Sequence, residues 1–353
     1  MASRAELLPA RDADTLFDAD TVDLVAPVVE PDPTMTDTSQ ALPVTPPPRR
    51  SRRALRPSTR ESIWGYVFIG PWLLGLALFT AGPIIASLVM SMTNFDLLHV
   101  DQTKFIGLDN YVRMTRDPLV GQALISTFKF ALIVIPATML ASLGFALLMN
   151  HPKLSGKGAL RTLIYMPMMI PLVASTMVWT GFLNTETGWL NKTLEAVGIP
   201  GPEWFQSEIW VYPALTLMGL WAVGNFMIIN IAGLQSVPTE LYEAARIDGA
   251  GWLTQLRRIT IPLISPVLLY DLVIILIATF QYFTQAYTLT NGRGDPNNAT
   301  LFINLELFRE AFVFSRMGYG AAIAWVLFAI VLVLTIALFT VSRRRVYYAG
   351  GER

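Results

Sequence analysis

Long apolar runs alternate with short polar connections over most of this chain. Six runs, near 64–92, 122–150, 159–184, 208–236, 264–290 and 319–342, are long enough to cross a hydrocarbon core as helices. Such a crossing takes roughly 20 residues. All six are interrupted by Pro or Gly, for example Pro83, Pro136, Pro167, Pro171, Pro213 and Pro266. In lipid, the backbone groups freed by such breaks survive only where neighbouring helices or a water-filled cavity satisfy them. The pattern therefore predicts an all-α membrane protein, a six-helix bundle lining a pathway rather than six separate anchors.

The ends of the chain read differently. Residues 1 to about 48 are rich in Asp, Pro, Thr and Ala, include Pro46-Pro47-Pro48 and show no periodicity. That composition predicts a disordered tail. Its acidity and lack of an apolar core exclude a signal peptide. The tail ends in Arg49, Arg50, Arg52, Arg53, Arg56 and Arg60, a basic cluster of the kind that stays in the cytoplasm before a first helix. With the amino terminus inside, the inner segments 49–60, 151–161, 237–262 and 343–353 carry sixteen Lys and Arg against seven in the outer loops. This bias puts both termini, and the 237–262 connection, in the cytoplasm. The expected division is a tail over 1–60, a membrane domain over 61–345 and a second cytoplasmic tail over 346–353.

Composition narrows the chemistry. Of 353 residues, 53% are hydrophobic and 15% charged, where a soluble domain carries about 25% charged. Membrane lipid is thus the main solvent. A net charge of zero gives no reason to expect nucleic-acid binding. The absence of cysteine excludes disulfides, thiolate zinc sites and cysteine nucleophiles. His99 and His151 are too few for an all-imidazole metal site and read as loop residues.

The connection over 237–262 has its own internal order. Pro238 and Glu240 suit the first turn of a helix, and Leu241, Tyr242, Ala244 and Ala245 give it a small apolar surface. Gly249 and Gly251 allow a sharp turn. A second short helix over 252–259 is expected next, with Pro262 and Pro266 leading into the fifth run. Arg246, Asp248, Arg257 and Arg258 are placed to make rim contacts with a partner.

Within it, Glu243-Ala244-Ala245, three residues, Gly249, nine residues and Ile259-Thr260-Ile261-Pro262 occur in sequence. This spacing resembles the EAA loop of bacterial ATP-binding-cassette importer permeases, in particular those for oligosaccharides and glycerol phosphates. Phe105 to Tyr111 with Asp117-Pro118, Asn191-Lys192 through Gly198-Ile199, and Gly318 to Ala322 resemble other segments of the same family. Arg293-Gly294-Asp295-Pro296 departs from the Gly-Gly-Pro usual there. The resemblance spans about residues 62–345. It implies a type I importer permease fold of six transmembrane helices in the bacterial cytoplasmic membrane, with the EAA loop as coupling helix. It also implies partners: a second homologous permease subunit, two ATPase subunits, an extracytoplasmic solute-binding protein and a carbohydrate substrate.

The chain shows no motor of its own. Gly156-Lys157 is the nearest approach to a phosphate-binding loop, but His151 and Gly158 stand where Gly and Ser or Thr are needed. No cofactor is expected here, and ATP and Mg would be used by the partner ATPases. No Ser-His-Asp arrangement is evident, and an enzyme is not expected.

A sugar path needs hydrogen-bonding groups and aromatic faces. The fourth run offers Trp221, Asn225 and Asn230, the fifth Thr279, Gln281, Tyr282 and Gln285. The resemblance places Asn225 and Thr279 at cavity depth by their distance from Glu243. The alternative is that such residues satisfy one another between helices. Asp271 is either part of the transport path or a local contact near the inner surface, and Lys129 snorkels toward headgroups. A rival reading, an ion-coupled secondary transporter, would need charged relays within the runs, for which only Asp271 and Lys129 are candidates.

Overall fold

The computed structural model describes residues 59–342. The tail expected over 346–353 and all of that over 1–60 except its last two residues lie outside the described residues. The chain divides after Ser62. Before that point only the opening turn of the first helix, from Thr59, is described, and the rest of the described structure belongs to the unit from Ile63 onward.

Among the described residues the fold is helical, without strands, and one isolated bridge joins Thr93 and Phe105. Four described helices are each long and apolar enough to cross a membrane: Trp64–Ser91, Pro118–Asn150, Ser265–Thr290 and Met317–Ser342. Two more runs are bent pairs, Lys157–Met169 with Leu172–Phe182 at 103° and Val211–Trp221 with Gly224–Gln235 at 58°. By length and composition the described helices thus offer four candidate crossings, or up to six when each bent pair counts as one.

The bends have local causes. Pro171 stands at the 103° corner in extended backbone, φ −55° and ψ 137°, and a proline there cannot donate to the preceding turn. The 58° corner holds no proline. Ala222 and Val223 leave the helix there, and Gly224 lies so close to Ile164 and Tyr165 that a Cβ would come within 2.7 Å of their backbone. Tertiary approach, which only glycine permits, sets that corner. Pro136, by contrast, sits inside Pro118–Asn150 without ending it.

Two prolines leave a shared signature. Wide turns of π type occupy Ala77–Ala81 and Leu256–Thr260, and in each the residue before a proline donates five residues back: Gly82 to Ala77 O ahead of Pro83, Ile261 to Leu256 O ahead of Pro262. A proline ring clashes with the carbonyl four residues earlier. Widening the turn relieves the clash without breaking the helix.

Hydrogen bonds gather alternate connections at one end of the bundle. Leu97 donates to Ser315 O at 3.0 Å and Gly318 to Phe95 O at 2.9 Å, while Asn297 Nδ2 donates to Glu208 Oε1 at 2.8 Å. Beneath them lies the larger core, around Phe130, Phe280, Leu301 and Phe302. A second core of Ala146, Met149, Met227, Ile231, Leu234, Val237 and Ile264 fills the other end, where residues 237–263 run. The first long helix turns Trp64, Phe68, Trp72 and Phe79 outward, all exposed, as expected of a helix whose solvent is lipid.

Candidate functional site

Residues 237–263 form a bent helical hairpin across one end of the bundle. Its first helix, Thr239–Ile247, starts after Pro238 with Glu240 in the first turn, where a carboxylate complements the exposed N–H groups. It ends in a Schellman arrangement: Ala250 donates to Ala245 O at 2.8 Å and Gly249 to Arg246 O at 3.0 Å. Gly249 adopts φ 77°, a conformation costing an L-residue about 1–2 kcal/mol.

The sequence places the end of the second segment at Ile259. Instead it stays helical through Leu263, because the wide turn at Leu256–Thr260 carries the helix past Pro262. Two hydrogen bonds brace the hairpin, Tyr242 Oη with Thr260 Oγ1 at 3.0 Å and Gln255 Nε2 to Ala250 O at 2.8 Å. Tyr242, Ile259 and Leu263 pack onto the second core, so one face of the hairpin is fixed to the bundle.

The other face is bare. Glu243, Ala244, Asp248 and Gly249 are exposed, while Ala245, Ile259 and Pro262 are half-buried at the base. Around them stand apolar side chains with no cover among the described residues: Ile247 is 87% exposed and Trp252 66%, with Leu241 and Leu253 alongside. Exposed apolar clusters rimmed by charges, here Arg246, Arg257 and Arg258, are typical of protein contact surfaces.

Roughly 28 Å of helix away, by the rise per residue from Pro262 to Gln281, lies a cavity of about 540 Å³. That volume falls within the range of small-molecule sites. It sits where helices break. The long helix Ser265–Thr290 is interrupted at Gln281 to Phe283, with Phe283 at φ −142° and ψ −60°. The Gln281 carbonyl freed by the break accepts from Asn304 Nδ2 at 3.1 Å, which satisfies it within the protein.

Four of the polar residues singled out in the sequence meet in this cavity: Thr279, Gln281, Tyr282 and Gln285. Two do not line it. Trp221 packs edge-on against Trp179, ring centroids 5.8 Å apart, and Asn225 lies beside the wall formed by Ala222 and Phe226. Residues not foreseen complete the lining: Thr138 and Ser175 add hydroxyls, and Phe130, Phe226 and Phe283 add aromatic faces. Of these only Ser175 lies on Leu172–Phe182, the segment that follows the corner at Pro171. No Asp, Glu, Lys, Arg or His lines the cavity among the described residues. The Tyr282 hydroxyl is buried without a hydrogen-bond partner among the described residues.

Asn230 follows the other alternative. Its amide donates to Asp271 Oδ2 at 2.7 Å, and both side chains are fully buried between helices.

At the far end, Asp117 caps Pro118–Asn150 by accepting from Leu119 N at 3.0 Å and also accepts from Tyr319 Oη at 2.8 Å. Glu306, fully buried, pairs with Arg309 at 3.2 Å, and Glu310 with Arg316 at 3.2 Å. Burial pushes the Glu306 carboxyl above the usual carboxylate range, against the pull of Arg309.

Residues 139–347 match the model of a family described as binding-protein-dependent transport system inner membrane component. The chain is 36% identical over 295 residues to the probable ABC transporter permease protein YesP of Bacillus subtilis, which covers 83% of this chain and 94% of that one. It is 32% identical over 286 residues to the lactose transport system permease protein LacF of Rhizobium radiobacter, covering 80% and 94%. Among solved structures, a bacterial alginate ABC transporter in complex with alginate pentasaccharide-bound periplasmic protein shares the fold, with a TM-score of 0.68 at 22% identity over 81% of this chain and 96% of that one.

Proposed function

The chain belongs to the binding-protein-dependent transport system inner membrane components, and from that premise we propose that it is the membrane subunit of an ATP-driven sugar importer whose hairpin at 237–263 docks on a separate ATPase. The observation that carries the reading is the two-sided hairpin: one face locked to the bundle through Tyr242, Ile259 and Leu263, the other presenting uncovered Ile247 and Trp252 beside Glu243.

The partners follow from the family: a second permease subunit, two ATPase subunits using ATP and Mg, and an extracytoplasmic binding protein. The reading takes six crossings, each bent pair counting as one, and both termini cytoplasmic by the excess of Lys and Arg in the inner connections. The ATPases close on ATP and displace the hairpin. The helices on either side, Gly224–Gln235 and Ser265–Phe280, carry the displacement to the cavity, which opens to the two sides of the membrane in turn.

The solute class is a neutral sugar or polyol. Hydroxyl and amide groups of Thr138, Ser175, Thr279, Gln281 and Gln285 match hydroxyl edges, and Phe130, Phe226 and Phe283 offer flat apolar faces to sugar rings. A carbohydrate also stands in the names of the lactose and alginate systems this chain resembles. Asp271 is tied to Asn230 and is not among the residues lining this cavity, which counts against an ion relay through it.

The test is the reconstituted complex carrying Glu243→Ala. The reading expects import and binding-protein stimulation of the ATPase to fall together. Unchanged import and stimulation would remove the docking role from the hairpin.

A further inference from the structure

Asn230 and Asp271 sit on the two helices that enter and leave the docking hairpin, Gly224–Gln235 and Ser265–Phe280. Asn230 Nδ2 donates to Asp271 Oδ2 at 2.7 Å and to Phe226 O at 3.0 Å, and stands 3.3 Å from Ser142 Oγ on Pro118–Asn150. All three side chains have no exposed surface. Three helices therefore meet at one amide nitrogen. One turn along, Gly233 brings the two flanking helices so close that a Cβ would lie 3.0 Å from Val267 Cγ2.

This knot is poorly built for strength. Among the described residues Asn230 Oδ1 and Asp271 Oδ1 are both buried without a partner, and no ion pair there involves Asp271. Unpaired buried acceptors destabilise a fold, and well-packed apolar residues often replace buried polar pairs without loss. What such a pair does supply is a single registration of the helices it joins. Its location gives that registration a use. Phe226 lies one turn beyond Asn230 and Thr279 two turns beyond Asp271, about 12 Å along the helix, and both line the cavity.

We propose that Asp271 is a positioning residue for transport: through Asn230 it locks the two helices flanking the docking hairpin, so that displacement of the hairpin moves both cavity walls as one body. The proposal rests on the docking reading of residues 237–263. Without the lock, the hairpin still engages the ATPase, but the two walls move independently and the cavity no longer switches in step with hydrolysis.

The measurement is solute imported per ATP hydrolysed, in proteoliposomes containing the full complex with its binding protein. Asp271→Leu and Asn230→Leu are expected to keep binding-protein-stimulated ATPase while import per ATP falls about tenfold, within the usual range of coupling between distant sites. Asp271→Asn keeps an acceptor for the Asn230 amide and is expected to retain the wild-type ratio. The exchange Asn230→Asp with Asp271→Asn reverses the donor and is expected to restore it. Wild-type ratios in both leucine variants would overturn the proposal. So would an Asp271→Asn variant as impaired as Asp271→Leu, since charge rather than the bond would then matter. If Asp271→Leu fails to assemble, Asn230→Leu and the exchange decide the matter by the same ratio. Failure of the docking reading itself looks different: there, Glu243→Ala leaves ATPase stimulation intact together with import.

Discussion

Tyr242 Oη lies 3.0 Å from Thr260 Oγ1, joining the first helix of the 237–263 hairpin to the segment that returns toward the bundle. The two residues are the hairpin's internal strut. Thr260 is buried and Tyr242 packs on the second core, with Ile264 and Val237 as neighbours in that cluster. A force on the exposed face therefore reaches the bundle through packed side chains rather than through a flexible linker.

Removing that strut tests the stiffness directly. Tyr242→Phe keeps the ring and loses one hydrogen bond, worth about 1 kcal/mol. Binding-protein-stimulated ATPase activity is expected to fall several-fold, with the melting temperature of the purified permease nearly unchanged. A variant with wild-type stimulation would show that the bond carries no load.

Gly249 separates backbone from contact. At φ 77° it is replaceable by asparagine, which tolerates the left-handed region, far better than by valine. Import assays should rank Gly249→Asn well above Gly249→Val. Equal loss in both would mean that the partner needs the missing side chain rather than the turn.

Tyr282 distinguishes binding from structure. Its hydroxyl is buried without a partner among the described residues, so Tyr282→Phe is expected to leave thermal stability equal or slightly raised. If the hydroxyl serves the solute, the same change raises the KM for import about tenfold, the effect of roughly 1.4 kcal/mol. Lower stability with an unchanged KM would make it a structural residue.

Charge in the cavity is a further check. Gln285→Glu places a carboxylate in a lining without Asp, Glu, Lys, Arg or His among the described residues. Its desolvation opposes closure around a neutral sugar, and transport measurements should show import falling at least about tenfold, while Gln285→Asn falls less. Faster import with the acid would reverse the assignment of a neutral solute.

The buried Glu306 predicts a pH effect with a definite sign. Its folded-state pKa is raised, by burial first, with Arg309 pulling the other way. The neutral form is favoured on folding, so its contribution is complete below the ordinary carboxylate value and is lost as pH rises through the raised one. Melting temperatures from acid to neutral pH should therefore show Glu306→Gln gaining on the wild type as pH rises. A gap that shrinks with rising pH would mean that the Arg309 pairing dominates.

The six apolar runs were legible because a helix in lipid must be long and apolar, whereas the corner at Pro171 was not set apart from Pro136 and Pro213, which read alike in sequence but end no helix. The hairpin was legible through Pro238 and Gly249, whose backbone demands are intrinsic to the residue. The bend at Ala222 and Val223 was not, since its cause is the approach of Gly224 to Ile164 and Tyr165 from another helix. The helix past Ile259 was missed for a related reason: Pro262 reads as a stop, yet a wide turn absorbs it. In the cavity, Thr279 to Gln285 could be read from one polar cluster, whereas Thr138, Ser175 and Phe226 come from other helices that only packing brings together. Trp221 looked equivalent to them in sequence but turns toward Trp179.

The chain contains no cysteine, so Ala244→Cys on the exposed face of the hairpin gives a single thiol in this subunit. In the assembled importer, a short thiol cross-linker at that position should join this chain to the ATPase subunit, with a yield that changes between nucleotide-free and ATP-bound states. A thiol that instead reacts with a membrane-impermeant reagent from outside intact cells, or that cross-links to no other polypeptide, would contradict the account.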